Sequence, residues 1–338
     1  MKIIINKRAI GDGENILIIA EVGINHLGNS NLCFKMVDAA IDSGADCVKI
    51  QTINEEESYM RDTNSYLMFK NTNLNLERLI EIKNYVENKG KFFFTTPGDV
   101  SSLELVEKVN LPIIKISSGL MTNLPLIQEV CKIKKPLIIS TGMGYENEIK
   151  KVVAVIKKNK IRKFALLKCT ANYPTLDVDA NLRGILSLKN KFNCIVGFSD
   201  HTLDDLASIN SVNFGAKIIE KHFTIDKTLP GADNSISLNP KEFSLMVEKI
   251  RRTESQLGTE ELVPTDREKK ERHLRHRYFV TKKDIKSGEK FKITNVAMKR
   301  LKKKTKSIHA YDFEKVVNKV SNKDIPNDTV ITYDDIQN

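Results

Sequence analysis

The chain has 338 residues, 41% hydrophobic and 29% charged, which suits a globular enzyme with one large domain and a small one, or two comparable ones. Lys and Arg number 54 against 43 Asp and Glu, a formal net charge of +11; such a balance fits nucleic acid, a membrane surface, an acidic small substrate or a plain Lys-rich bias, and outside one stretch it is diffuse. Five widely spaced cysteines (Cys33, Cys47, Cys131, Cys169, Cys194) with no CxxC argue against a disulfide framework or zinc ribbon, and without an apolar signal core or a run of about 18 apolar residues the expected location is the cytoplasm.

Residues 1–15 predict a small hairpin with a turn at Gly11-Asp12-Gly13. Short apolar, β-branched runs then recur at 16–20, 47–50, 92–96, 113–116, 137–140, 164–167, 194–197 and 217–220. Stretches of helical periodicity lie between them, such as Cys33–Ser43 with Phe34, Val37, Ala40 and Ile41 on one face. Strand and helix alternating eight times, with strands apolar throughout, predict an α/β fold, a (β/α)8 TIM barrel, over residues 1–257 including the hairpin. Residues 258–277 are charged and lack an apolar face, and read as a linker or a solvated helix. Residues 278–338 predict a compact module of short strands with a turn at Lys286–Glu289 and a short helix near Tyr311–Val317.

Barrel chemistry sits at the C-terminal ends of the strands. Here the runs end on Glu21; Lys49 and Gln51; Thr96; Lys115 and Ser118; Ser140; Lys168, Asn172 and Tyr173; Ser199, Asp200 and His201; and Glu220, Lys221 and His222. Any one of these could be a satisfied buried polar group, but eight polar strand ends together predict a lined active site. His201 and His222, at neighbouring ends, suit a first-row divalent ion with open coordination positions, with Glu21, Asp200 and Glu220 as nearby acids. Thr96, Lys115, Ser118, Ser140 and Ser199 suit a small phosphate-type anion, since no Walker-type loop or GxGxxG occurs. Gln51, Asn172, Tyr173 and Asp233 are candidates for a sugar-like part of the pocket.

The segments IIAEVGINHLGN, ADCVKIQT, FFTTPGD, IIKISSG, IISTGM, CTANYPT, GFSDHT and IEKHFT, a later GAD, and VTKKDIKSGE with MKR near the end resemble the sialic acid synthase family, which covers N-acetylneuraminate, legionaminate and pseudaminate synthases. The resemblance runs in order through essentially the whole chain. It implies a barrel followed by an antifreeze-like (SAF-type) domain. It also implies condensation of phosphoenolpyruvate with an open-chain N-acyl amino sugar, N-acetylmannosamine first, or a 2,4-diacetamido-trideoxy mannose giving diacetyllegionaminate. In that chemistry phosphoenolpyruvate C3 attacks the aldehyde carbon, water adds at C2 and phosphate leaves by C–O cleavage.

By the same resemblance His201 and His222 hold a divalent metal, usually Mn(2+), and Glu21 serves the water or the sugar near it. Lys49, Thr96, Lys115, Ser118, Ser140 and Ser199 bind phosphoenolpyruvate. Gln51, Asn172, Tyr173, Glu220, Asp233 and Arg300 contact the acceptor, with Arg300 reaching the partner's barrel in a domain-swapped homodimer. Leu120 and Ala171 stand where the family often has an acid and an Asn on the acceptor side. Neither nucleic acid nor membrane is expected as a partner. Two other classes are open to the residues: a metal-free Schiff-base aldolase using Lys49, Lys115 or Lys168, and a basic nucleic-acid-binding protein using residues 267–277.

Overall fold

The computed structural model describes residues 2–337 and divides into two compact units, 1–258 and 259–338. The first opens with an antiparallel hairpin, β1 (Lys2–Ile5) and β2 (Arg8–Gly11). Its turn falls at Asn6 and Lys7, at φ 44° and 70°, rather than at Gly11–Gly13. Two successive left-handed residues form the tight hairpin turn that matches strand twist. Eight parallel strands follow: β3 (Leu17–Gly23), β4 (Cys47–Thr52), β5 (Phe92–Pro97), β6 (Ile114–Ile116), β7 (Leu137–Ser140), β8 (Phe164–Cys169), β9 (Ile195–Asp200) and β10 (Ile218–His222). Their hydrogen-bonded order is β5-β4-β3-β10-β9-β8-β7-β6, and β5 and β6 adjoin across the remaining seam. The expected barrel is therefore present, open by one ladder at its shortest strand.

Two apolar layers hold it. Outward-facing strand residues such as Ile18, Val48, Phe93, Leu166 and Val196 pack with the surrounding helices in one large core. Inward-facing residues at the strand starts, Leu17, Ile19, Phe92, Phe94, Ile138 and Ile218 among them, form a second core with Ile3, Ile5 and Ile10 of the hairpin. The hairpin thus plugs the N-terminal end of the barrel, away from the end where the strands turn polar. Gly197 is required by this packing: a Cβ there would stand 2.3 Å from the Ile218 carbonyl oxygen and 2.6 Å from Leu167 Cδ2.

In the second unit a helix at Asp266–Arg275 is capped by Thr265 and Glu268 and buries no residue. After it, β11 (Tyr278–Thr281) pairs antiparallel with β12 (Val296–Lys299). Phe279, Ile285, Phe291, Val296, Ile308, Val316, Ile325 and Ile331 form a separate small core.

Candidate active site

Strand alternation builds the site. On seven of the barrel strands the inward positions run apolar or Gly and then turn polar: Ile19 to Glu21, Cys47 to Lys49, Phe94 to Thr96, Ile113 (just ahead of β6) to Lys115, Ile138 to Ser140, Gly197 to Ser199, and Ile218 to Glu220; on β8 the step is from Leu167 to the thiol of Cys169. One step of the period-2 rule thus caps the apolar plug with a polar layer. Register brings its members side by side: His222 pairs with Glu21, Glu21 with Lys49, Gln51 with Thr96, Cys169 with Ser199, and Ser199 with Glu220. A bulge between Glu21 and Gly23, with Gly23 at φ +57°, twists the end of β3. A Cβ on Gly23 would stand 3.5 Å from Glu21 Oε1, 3.7 Å from Asp233 Oδ2 and 3.8 Å from Gln51 Nε2, so three polar tips converge over this glycine.

At the centre is a buried charge cluster. Lys49 Nζ lies 2.7 Å from Glu21 Oε2 and 3.7 Å from Glu220 Oε2, and donates to Thr96 Oγ1 at 3.1 Å. Lys115 Nζ lies 3.2 Å from Glu220 Oε1, which also accepts from Ser199 Oγ at 2.9 Å. Gln51 Nε2 donates to Glu21 Oε1 at 3.1 Å. None of the four charged groups is more than 5% exposed. Burial opposes ionisation of Glu220, yet Lys115 and Lys49 prevail and hold its pKa down at about 2. Glu21 goes the other way: burial raises its pKa, Lys49 opposes the rise and Glu220 adds to it. For Lys49, burial is outweighed by Glu21 and Glu220 and the pKa rises. That keeps it protonated and speaks against imine chemistry there. Lys168 leaves the cavity altogether, its Nζ donating to the Cys169 carbonyl and to Thr170 Oγ1.

The histidines flank this cluster with ring centroids 5.4 Å apart. His201 Nδ1 is 2.8 Å from the Thr170 carbonyl oxygen, which makes Nδ1 the donor and leaves Nε2 free for a ligand. For His201, burial is outweighed by contacts to Cys169 and Thr170, and the pKa is raised. Burial, with His201 and Lys49 adding, pushes the His222 pKa well below its ordinary value, so His222 is neutral as a metal ligand must be. Its buried Nδ1 has no hydrogen-bond partner among the described residues and lies 3.8 Å from Asp233 Oδ2. An orphaned imidazole nitrogen beside a second imidazole and two carboxylates fits a first-row divalent ion. Among the described residues no cluster of three or more His, Cys, Asp or Glu is placed to hold a metal ion; two imidazoles alone would be completed by water and substrate oxygen.

A cavity of about 250 Å³ gathers Glu21, Lys49, Gln51, Lys115, Ser118, Ser140, Tyr173, Ser199, His201, Glu220 and His222. Ser140 Oγ is buried there without a hydrogen-bond partner among the described residues, a donor left over for a ligand. Thr96 stands behind Lys49. Tyr173 lies with its ring centroid 4.1 Å from that of His201. Asn172 lines a neighbouring cavity of about 510 Å³ instead. Arg300 is exposed at the end of β12 in the second unit.

Asp200 does not join the histidines as the sequence suggested. It faces outward to Lys221, because alternation that turns Ser199 and His201 inward turns Asp200 out. Several wall residues were missed. Cys169, with Sγ 3.8 Å from His201 Nδ1, reads as a hydrophobe in sequence, though the inward spacing from Leu167 marks it. Tyr59 and Phe69 come from the short helical segments after β4, where no periodicity signals them. Tyr59, Ile53, Ser117 and Gly119 also border a cavity of about 650 Å³, whose wall mixes Leu120, Pro125 and Leu126 with the polar Glu57, Asp99, Asn123, Gln128 and Glu129.

An eight-stranded barrel whose mouth pairs buried lysines and hydroxyls with two histidines defines an enzyme acting on a small anionic substrate. The NeuB family model matches residues 36–262 and the SAF domain model residues 276–337. The chain is 35% identical to the N,N'-diacetyllegionaminic acid synthase of Campylobacter jejuni, over 94% of this chain and 99% of that one. It is 32% identical to the pseudaminic acid synthase of the same species, over 92% and 94%. The crystal structure of an N-acetylneuraminic acid synthetase from Leptospira borgpetersenii, in complex with citrate, covers 81% of this chain and 96% of its own, at 34% identity and a TM-score of 0.78. The chain belongs to the NeuB family of sialic and related nonulosonic acid synthases, with a SAF domain at its C-terminus, and is a phosphoenolpyruvate-condensing transferase. No helix among the described residues is long and apolar enough to cross a membrane.

Proposed function

We propose that the enzyme joins phosphoenolpyruvate to an open-chain N-acyl amino sugar at the mouth of the barrel, with Mn(2+) held by His201 and His222. The observation that carries this reading is the convergence, in one cavity, of two buried lysines, the partnerless Ser140 hydroxyl and the partnerless His222 nitrogen. Lys49, Lys115, Ser140 and Ser199 would receive the phosphate and carboxylate of phosphoenolpyruvate, with Thr96 orienting Lys49 and Ser118 bounding the site. When bound, the metal would polarise the aldehyde oxygen of the acceptor. Glu21, its pKa raised by burial, would take the proton of the water that adds at C2 of phosphoenolpyruvate, and phosphate leaves with its bridging oxygen. Glu220 stays ionised beside the lysines and would reach acceptor hydroxyls only from that position.

The acceptor would enter past Gln51, Tyr173 and Asp233, with Asn172 and Arg300 as outer contacts, Arg300 supplied by the partner of a swapped homodimer in the cytoplasm. N-acetylmannosamine is the first acceptor. A 2,4-diacetamido-trideoxy mannose is a second reading, supported by the 35% identity to an N,N'-diacetyllegionaminic acid synthase over 94% of the chain. Phosphate release from phosphoenolpyruvate and Mn(2+), measured across a panel of N-acyl amino sugars, tests both. Release with none of them refutes the reaction, and the ratio of kcat/KM between the two sugars decides the acceptor.

A further inference from the structure

Asp200 and Lys221 are buried at 1% exposure each, pair across adjacent strands, and face away from the substrate cavity. Each immediately precedes one of the two histidines. Lys221 Nζ lies 2.9 Å from Asp200 Oδ2 and donates to the Thr202 carbonyl oxygen at 2.5 Å. Asp200 Oδ1 accepts from both the backbone N–H and the hydroxyl of Thr202 at 2.8 Å. Asp200 Oδ2 accepts from Ser208 Oγ, on the helix Leu206–Asn213, at 2.6 Å. His201 is therefore bracketed by two residues, Asp200 and Thr202, that are both tied to the residue before His222.

A buried ion pair gives little net stability over a well-packed apolar pair, and its best-attested use is to specify one arrangement. The quantity that needs specifying here is local. Two imidazoles on different strands can share one ion only if their nitrogens keep bonding distance to within about 0.2 Å. We infer that the outward Asp200–Lys221 pair is a positioning clamp: it sets the separation of His201 and His222, and through it the affinity for the metal, without touching metal or substrate. The inference rests on the reading of the histidines as the metal ligands.

The test is Mn(2+) binding by the full chain without substrates, followed through the electron paramagnetic resonance signal of free Mn(2+). Wild type against His222→Ala checks the ligand reading first; equal binding there sinks that reading and the clamp with it. Given a histidine-dependent site, Asp200→Asn and Lys221→Met are expected to weaken Mn(2+) binding about 10- to 100-fold, as loss of a ligand-orienting partner does. At saturating Mn(2+) their KM for phosphoenolpyruvate should stay near wild type, because the lysines and hydroxyls of the cavity are untouched. Folded variants with wild-type Mn(2+) affinity and only a lower melting temperature would make the pair purely structural. If neither charge variant folds, Ser208→Ala, which keeps the ion pair and removes one bond to it, decides: weaker Mn(2+) binding supports the clamp, and unchanged binding overturns it.

Discussion

Replacing Glu220 with Gln keeps the shape of the side chain and removes the charge that both buried lysines share. Lys115 then has no carboxylate within the 3.2 Å it now enjoys, and Lys49 keeps only Glu21. Breaking a buried pair by removing one partner costs about 3–5 kcal/mol. A domain near 250 residues loses roughly 2–4 °C of melting temperature per kcal/mol, so the substrate-free variant should melt about 6–20 °C below wild type at pH 7. The sign of the pH dependence follows from the wild-type pKa. Glu220 falls from its ordinary 4.5 to about 2 on folding, so between those values the unfolded chain holds more protons and wild-type stability rises with pH. The gap between wild type and variant should therefore close as the pH drops from 4.5 towards 2. Inorganic phosphate should raise the melting temperature of Glu220→Gln more than that of wild type, because an anion then supplies the missing partner. Differential scanning fluorimetry with and without phosphate makes the measurement. A melting temperature within about 2 °C of wild type, with equal phosphate shifts, would refute the idea that Glu220 neutralises the lysines.

His222→Ala should lose Mn(2+) binding in calorimetry and condensation together, while keeping the wild-type far-ultraviolet dichroism. Ser140→Ala removes a donor to a charged ligand, worth about 1.5–3 kcal/mol, and should raise KM for phosphoenolpyruvate about 10- to 100-fold in steady-state assays; an unchanged KM removes Ser140 from the anion site. Gly197→Ala drives a methyl into the Ile218 carbonyl and Leu167 and should cost about 1–3 kcal/mol of overpacking in urea denaturation. Gly23→Ala, at φ +57° beneath the convergence of Glu21, Asp233 and Gln51, should lower kcat/KM with a stability cost of only about 1–2 kcal/mol.

The strands were legible because their apolar runs are continuous, yet their ends were cut short by the same criterion. Apolarity ends at Ala20, Leu167 and Gly197, while the ladder continues through Gly23, Cys169 and Asp200. Backbone pairing does not stop when side chains turn polar, and the residues lost from the strands include Glu21, Gln51, Cys169, Ser199 and His222 of the site. Alternation, continued past the ends of the runs, places Glu21 and Ser199 inward and turns Asp200 outward. The hairpin turn escaped because Gly11 and Gly13 offered a more obvious left-handed site than Asn6 and Lys7. Tyr59 and Phe69 had no local signal, since they reach the cavity through the tertiary placement of two short helical segments.

The two carboxylates of the cluster share Lys49 and are equally buried, but their pKa values move apart, Glu220 down to about 2 and Glu21 up. The difference is positional. Glu220 sits between Lys49 and Lys115 and accepts from Ser199, so its charge is compensated three times over. Glu21 has one lysine, an amide donor from Gln51 and the neighbouring negative charge of Glu220. Paired titratable groups whose surroundings separate their pKa values mark a division of roles. The permanently ionised member cannot exchange a proton near neutral pH, so Glu220 acts as a counter-ion to both lysines: with Glu21 it raises the Lys49 pKa, and it opposes the fall that burial imposes on Lys115. Glu21, beside His222 in the sheet and tuned towards neutrality, is the member able to accept a proton, and arrival of a phosphorylated substrate that draws Lys49 away would raise its basicity further. Substrate binding and proton acceptance are thereby linked through one ammonium group, which makes Lys49 the residue on which both halves of the proposed chemistry depend.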